Sequence, residues 1–322
     1  MAADLAVVVN TRDPLSAAIG DYYVNKRSIP TSNVVRIDFE PDRDELPPAE
    51  FTALRAAILK QTRERIQAYA LTWARPYRAG CMSITSALTF GVNASYCASQ
   101  CAPTKSSPYF NSSAVRPYDE LHLRPTLTLA ALDLEHAKAL IDRGVSADAQ
   151  RPAGTAYLVT TDDSRRDVRS AQYPLAIRIA QHEFGFHVVV TDHPGDPADV
   201  MFYFTGAASV PGIDGYRFLP GAIADHLTSF GGELTDSRQM SSLRWLEAGA
   251  TGSYGTVVEP CNLPGKFPNV AVLLAHYLGG ETLIESYWKS VRMPGQGIFI
   301  GEPLAAPFRS RGPSPPAAAA AD

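Results

Sequence analysis

The stretch Leu243–Asn262, LRWLEAGATGSYGTVVEPCN, decides how the chain is read. Its first third carries helix formers and stops at Gly249. A run of small and β-branched residues follows, and then a turn with Glu259, Pro260 and Cys261. A helix feeding a strand whose carboxyl end bears an acid and a thiol belongs to an open α/β sheet, where ligands gather outside the carboxyl ends of the strands. The glycines at 249, 252 and 255 do not make a phosphate loop, because such loops follow a strand and open a helix. They imply tight packing of helix on strand.

The same alternation extends toward the N-terminus. Leu5–Val9 is a short apolar run of the buried-strand type. Asp13-Pro14 opens a helix to about Arg27, with Pro at an early helical position. Val34–Phe39 reads as a strand. Pro48–Tyr69 reads as a helix with Phe51, Leu54, Ile58 and Ile66 on one face. Ala70–Trp73 is the next strand and ends in Arg75-Pro76-Tyr77-Arg78. This β-α-β-α-β order predicts a mainly parallel sheet flanked by helices. Ser83–Val92 fits either helix or strand.

Thr126–Ala131 is a predicted strand, and Leu134–Arg143 a helix closed by Gly144. Strands follow at Thr155–Thr160, His187–Thr191, Val200–Thr205, Ala224–Thr228 and Ser253–Val258, with a last one at Gly297–Ile300. A helix after Asp163/Ser164 extends to about Phe184, and two more cover Val270–Leu278 and Thr282–Val291. The expected organisation is an N-terminal half over 1–150, a C-terminal half over 151–311, and a disordered Pro/Ala-rich tail over 312–322. Between 93 and 125 the periodicity collapses. A loop that long inside a compact domain is usually functional or disordered, and Tyr96, Tyr109, Phe110 and Tyr118 argue for order. It is read as an excursion covering a cleft.

Composition narrows the classes. The chain has 322 residues, 45% hydrophobic, with a formal net charge of −4. That balance gives no footprint for nucleic acid, and no apolar run is long enough for a membrane span. The N-terminus MAADLAVVVN lacks the basic region of a signal peptide. Four cysteines, Cys81, Cys97, Cys101 and Cys261, are too few for a disulfide scaffold. Cys97 and Cys101 fit a disulfide, a metal pair or two idle thiols. With Cys261 and His226 or His276 they would make a zinc or copper site. No cofactor is otherwise indicated.

Candidate chemistry collects around Cys261. A thiolate needs a cation or histidine nearby, and His226, on the neighbouring predicted strand, is the best base by topology. Glu259 is an orienter, or a buried acid–base group. The alternative reading makes Cys261 a small core residue, His226 a satisfied core histidine, and Glu259 a salt-bridge partner of Arg75 or Arg78. Asp225 and His226 alternate along a strand and should face opposite sides. Arg75, Arg78, Arg116 and Arg124 are candidates for an anionic substrate. Thr205, Ser229, Tyr254 and Asn262 are placed at the same edge, with Lys266 and Asn10 as further hydrogen-bonding groups.

Two stretches resemble known peptidases. Leu5–Arg78, with DYYVNKRSIPTSNVVRI and WARPYR, resembles the N-terminal part of gingipain-type cysteine peptidases. VMFYFTGAAS (200–209), IADHLTSFGG (223–232) and LEAGATGSYGTVVEP (246–260) are similar to the core of the caspase-like superfamily, which includes CHAT domains. The whole of 5–307 looks like an uncharacterised, often exported bacterial family. Its signature segments fall at Cys101–Ser112, Leu140–Gly154 and Gly252–Pro268. The resemblance implies a caspase-like fold with two related halves, and it suggests export to the periplasm or beyond. Against it, the His-Gly position falls at Thr205-Gly206 and the nucleophile position near Thr228-Ser229, so the ordinary dyad is missing. The expectation is an enzyme with a replaced dyad, Cys261, His226 and Glu259, in acyl transfer or amide hydrolysis on a peptide-like or other small substrate. The alternatives are a non-catalytic binding protein on a degenerate peptidase scaffold, and a metal-dependent enzyme using cysteine and histidine.

Overall fold

A computed structural model describes residues 2–98 and 101–310. The first part of the chain contributes strands β1 (Leu5–Asn10), β2 (Val34–Ile37), β3 (Glu45–Leu46), β4 (Ala68–Leu71), β5 (Arg78–Ala79), β6 (Met82–Ser83) and β7 (Thr126–Thr128). Its helices are α1 (Pro14–Lys26), α2 (Pro48–Gln61), α3 (Ile84–Phe90), α4 (Pro117–Leu121) and α5 (Leu134–Ala147). The second part contributes β8 (Thr155–Val159), β9 (His187–Thr191), β10 (Val200–Thr205), β11 (Phe218–His226), β12 (Gly252–Thr256) and β13 (Gly297–Gly301). Its helices are α6 (Tyr173–Ile177), α7 (Leu243–Glu247), α8 (Val270–Leu278) and α9 (Leu283–Ser290).

Ten strands form one sheet in the order β2-β1-β4-β7-β13-β12-β11-β10-β8-β9. The block β2-β1-β4-β7 is parallel, and so is the block β12-β11-β10-β8-β9. The last strand, β13, stands between them. It runs antiparallel to β12 over five residue pairs, Gly252–Gly301 to Thr256–Gly297, and touches β7 at Ile300–Thr128. The protein is thus a mixed α/β fold with a large, mostly parallel sheet flanked by helices, as the alternation of elements predicts. β3, β5 and β6 make a small separate sheet. Burial on both faces explains the continuous apolar character of β1 and β10, in which every residue is buried.

Several predicted boundaries move; β11, for one, begins at Phe218 and not at Ala224. The helix from Pro48 ends at Gln61, and the next strand begins at Ala68. Gly144 does not close α5, which continues to Ala147. A Cβ on Gly144 would lie 2.6 Å from the Glu302 side chain, so the glycine admits that carboxylate instead of ending the helix. The helix after Asp163 is a series of short pieces, 3-10 over Asp167–Gln172, α6, and a π turn over Arg178–Glu183. The expected tail over 312–322 lies outside the described residues.

The segments that leave the two blocks meet. Beyond β4, the Tyr77 hydroxyl donates to Asp236, which follows β11, at 2.7 Å. Ser83, at the head of α3, donates to the carbonyl of Gly297 at the head of β13. The loop over 93–125 is ordered at its described residues by bonds to the far half. Ser107 N–H donates to Arg292 O, and Asn111 N–H to Lys289 O. Tyr109 packs in the core beneath it.

Candidate functional site

The carboxyl ends of β8, β11 and β12 open onto a cavity of about 490 Å³. Its walls are Arg165 and Arg166 after β8, Leu227, Thr228 and Ser229 after β11, and Glu259, Pro260, Cys261 and Asn262 after β12, with Cys101 and Phe267. This is where an open α/β sheet places its ligands.

Each wall is fixed by its own chemistry. Thr256 Oγ1 donates to the carbonyls of Thr228 and Ser229 at 3.1 and 2.8 Å, which ties the exit of β11 to β12. Gly232 N–H donates to Thr256 O at 2.9 Å. Gly255 permits that approach, since a Cβ there would meet the backbone of Gly231 and Gly232 at 2.4 Å. Gly206 has the same role at the end of β10, where a Cβ would lie 2.5 Å from Arg166 O. The third wall is held by Gln296 Nε2, which donates to Glu259 O at 2.7 Å. The Glu259 carboxylate accepts from the N–H of Cys261, also at 2.7 Å. Cys261 itself is in the left-handed region at φ 56°.

The cysteines overturn the expected nucleophile and metal pair. Cys261 is disulfide-bonded to Cys101, and Cys97 to Cys81. Cys97 and Cys101 are therefore neither bonded to each other nor a free thiol pair. A sulfur shared in a disulfide has no thiolate to attack or ligate with. Among the described residues, no group of three or more His, Cys, Asp or Glu side chains is placed to hold a metal.

His226 is not a base for Cys261. Its ring is buried, Nδ1 accepts from Trp245 Nε1–H at 2.8 Å, and Nε2 lies 2.9 Å from Met240 O. That network assigns the proton to Nε2. Burial pushes its pKa down to about 4, so the ring is neutral and both nitrogens are engaged. It is the satisfied core histidine of the alternative reading. Asp225 faces away from it and is ion-paired with Arg169, on the opposite side of the strand.

Of the other expected site residues, Ser229, Glu259 and Asn262 line the cavity, whereas Thr205 and Tyr254 are fully buried beside it. Thr205 Oγ1 accepts from Ala207 N–H, and the Tyr254 hydroxyl donates to Lys266 O. Arg75 and Arg78 pair with Asp44 and Glu45 at the small sheet, so neither reaches Glu259. Arg116 pairs with Asp119, and Arg124 stacks on Tyr118 with Nε donating to Ile66 O. Asn10 is spent on the backbone of Phe39, and His276 on Glu281 and Asn111.

Two residues were missed. Arg165 and Arg166 stand in TDDSRRD immediately after β8. Asp163 and Ser164 suggest only a helix start there. The available signal was the position itself, adjacent guanidinium groups at the carboxyl end of a parallel strand. Arg166 is ion-paired with Asp163, while the Arg165 side chain has no hydrogen-bond or ion-pair partner among the described residues.

Neither a protein-family model nor a curated protein matches the chain. Among solved structures, one described as "Structure of Protease" is similar with a TM-score of 0.44 at 11% identity, over 96% of this chain and 79% of that one.

Proposed function

We propose that the protein is a non-catalytic binding protein whose ligand occupies the cavity at the carboxyl ends of β8, β11 and β12. One observation carries the reading. The thiol nearest the cavity is tied up in the Cys101–Cys261 disulfide, and the nearest strand histidine, His226, is neutral, buried and engaged at both nitrogens. Nucleophile and base are thus both withdrawn from a pocket that is nevertheless formed, walled and of small-molecule size. The resemblance to caspase-like peptidases supports the same reading, because the positions of its dyad fall here at Thr205-Gly206 and Thr228-Ser229. Two disulfides support an oxidising compartment, in line with an exported protein.

The second reading, acyl transfer or amide hydrolysis by Cys261, is favoured by one fact, that Cys261 and Glu259 line the same cavity. It requires reduction of the disulfide and a base other than His226. A thiol-directed activity probe on the oxidised and the reduced protein separates the two. Binding without catalysis predicts no labelling when oxidised, and only ordinary alkylation when reduced. Rapid, selective labelling of Cys261 together with peptide turnover that Cys261→Ser abolishes would establish the enzyme instead.

A further inference from the structure

We infer that this cavity is built for a ligand carrying an oxyanion, a carboxylate or a phosphate, gripped by Arg165 and Arg166 with Ser229 and Asn262 beside them. The inference rests on the binding reading and adds the class of ligand. Its basis is an excess of donors. Arg165 has no side-chain partner among the described residues, and Arg166 gives Asp163 a single amino group. The Ser229 hydroxyl and the Asn262 amide likewise engage nothing among the described residues. Against these donors the lining offers one carboxylate, Glu259, and one of its oxygens already accepts from Cys261 N–H.

A third basic side chain interacts with Glu259. Lys266 is fully buried, and its Nζ has no hydrogen-bond partner. Burial lowers its pKa, and the nearby Glu259 carboxylate opposes that shift. Adjacent guanidinium groups present flat arrays of N–H donors that match an oxyanion in pairs. They are set on the short segment after β8, which is pinned by Gly206 beneath it and by the Arg166–Asp163 pair. The backbone that carries the grip is thus fixed before binding, and the ordering cost falls on the unpartnered Arg165 side chain.

The test is calorimetric titration of the oxidised 322-residue chain with four probes, namely inorganic phosphate, glutarate, the dipeptide Glu-Glu and the neutral dipeptide Gln-Gln. At least one anionic probe should bind below about 10 mM while Gln-Gln does not. Glutarate or Glu-Glu alone identifies a carboxylate site, and phosphate alone a phosphate site. Arg165→Gln should weaken that binding about tenfold or more with an unchanged melting temperature, and added salt should weaken it further. The inference is overturned if no anionic probe binds, if Gln-Gln binds equally well, or if Arg165→Gln has no effect. Gln-Gln binding that is blind to Arg165→Gln would leave the binding reading standing. Peptide turnover lost in Cys261→Ser would remove the binding reading itself.

Discussion

His226 shows how one residue's surroundings decide its role. An imidazole in the unfolded chain gains a proton as pH falls through about 6.5, whereas in the fold it stays neutral down to about 4. Between those values the unfolded state binds more protons, so stability is lost as pH falls, by up to about 3 kcal/mol once pH is below both. His226→Gln should lower the melting temperature near neutrality, because the bonds to Trp245 and Met240 change. It should also flatten the fall across that window. A variant whose melting temperature tracks the wild type in parallel from neutral to about pH 4 would show that His226 does not set the slope. The histidine itself was visible in the sequence. Its engagement was not, because Trp245 and Met240 reach it from a helix and a loop 19 and 14 residues away.

At the scale of elements, the loop over 93–125 and the turn after β12 are one device. Two disulfides fasten the loop, one to Cys81 beyond β5 and one to Cys261 across 160 residues of chain. Cross-links of this kind stabilise chiefly by restricting the unfolded chain. Replacing Cys101 and Cys261 together by Ser should cost about 2–4 kcal/mol, read in denaturant unfolding, and should open the loop to proteolysis. Unchanged stability and unchanged cleavage would mean that the Cys81–Cys97 disulfide and the backbone bonds to Lys289 and Arg292 suffice to hold the loop. Gly255→Ala tests the other wall. Its Cβ would meet backbone, which cannot swing aside, so we expect a loss of about 1–3 kcal/mol and a looser cavity. The run GATGSYG implied tight packing of helix on strand, which holds for Gly252 against Leu283 of α9 but not for Gly255. The partner of Gly255 is another glycine pair, on the loop after β11.

Across the whole molecule, helix α1 and the segment after β13 lock together. Glu302, just past β13 and fully buried, accepts from the Tyr23 hydroxyl at 2.6 Å and is ion-paired with Arg27 at the end of α1. Arg27 also pairs with Asp148 after α5. With β13 in the middle of the sheet, neither block has its full set of neighbours until the last strand is in place. Glu302→Ala would leave Arg27 buried with only its partly exposed partner Asp148, at a cost of about 3–5 kcal/mol. Thermal unfolding should remain a single transition at a lower temperature. Two separated transitions would show that the halves fold independently.

Period and punctuation alone identified most strands and helices, because burial on two faces writes continuous apolar runs and Asp-Pro marks a helix start. They also placed the edge at which the cavity opens, since the carboxyl ends of parallel strands follow from β-α-β order. The tertiary structure decided what sequence spacing does not encode. It paired each cysteine with a distant partner, engaged His226 inside the core, sent Arg75 and Arg78 to the small sheet, and brought Arg165, Arg166, Ser229 and Asn262 to one cavity. These are contacts between segments far apart in the chain. Local pattern fixes which way a strand's side chains alternate, but only packing decides which loops its end will meet.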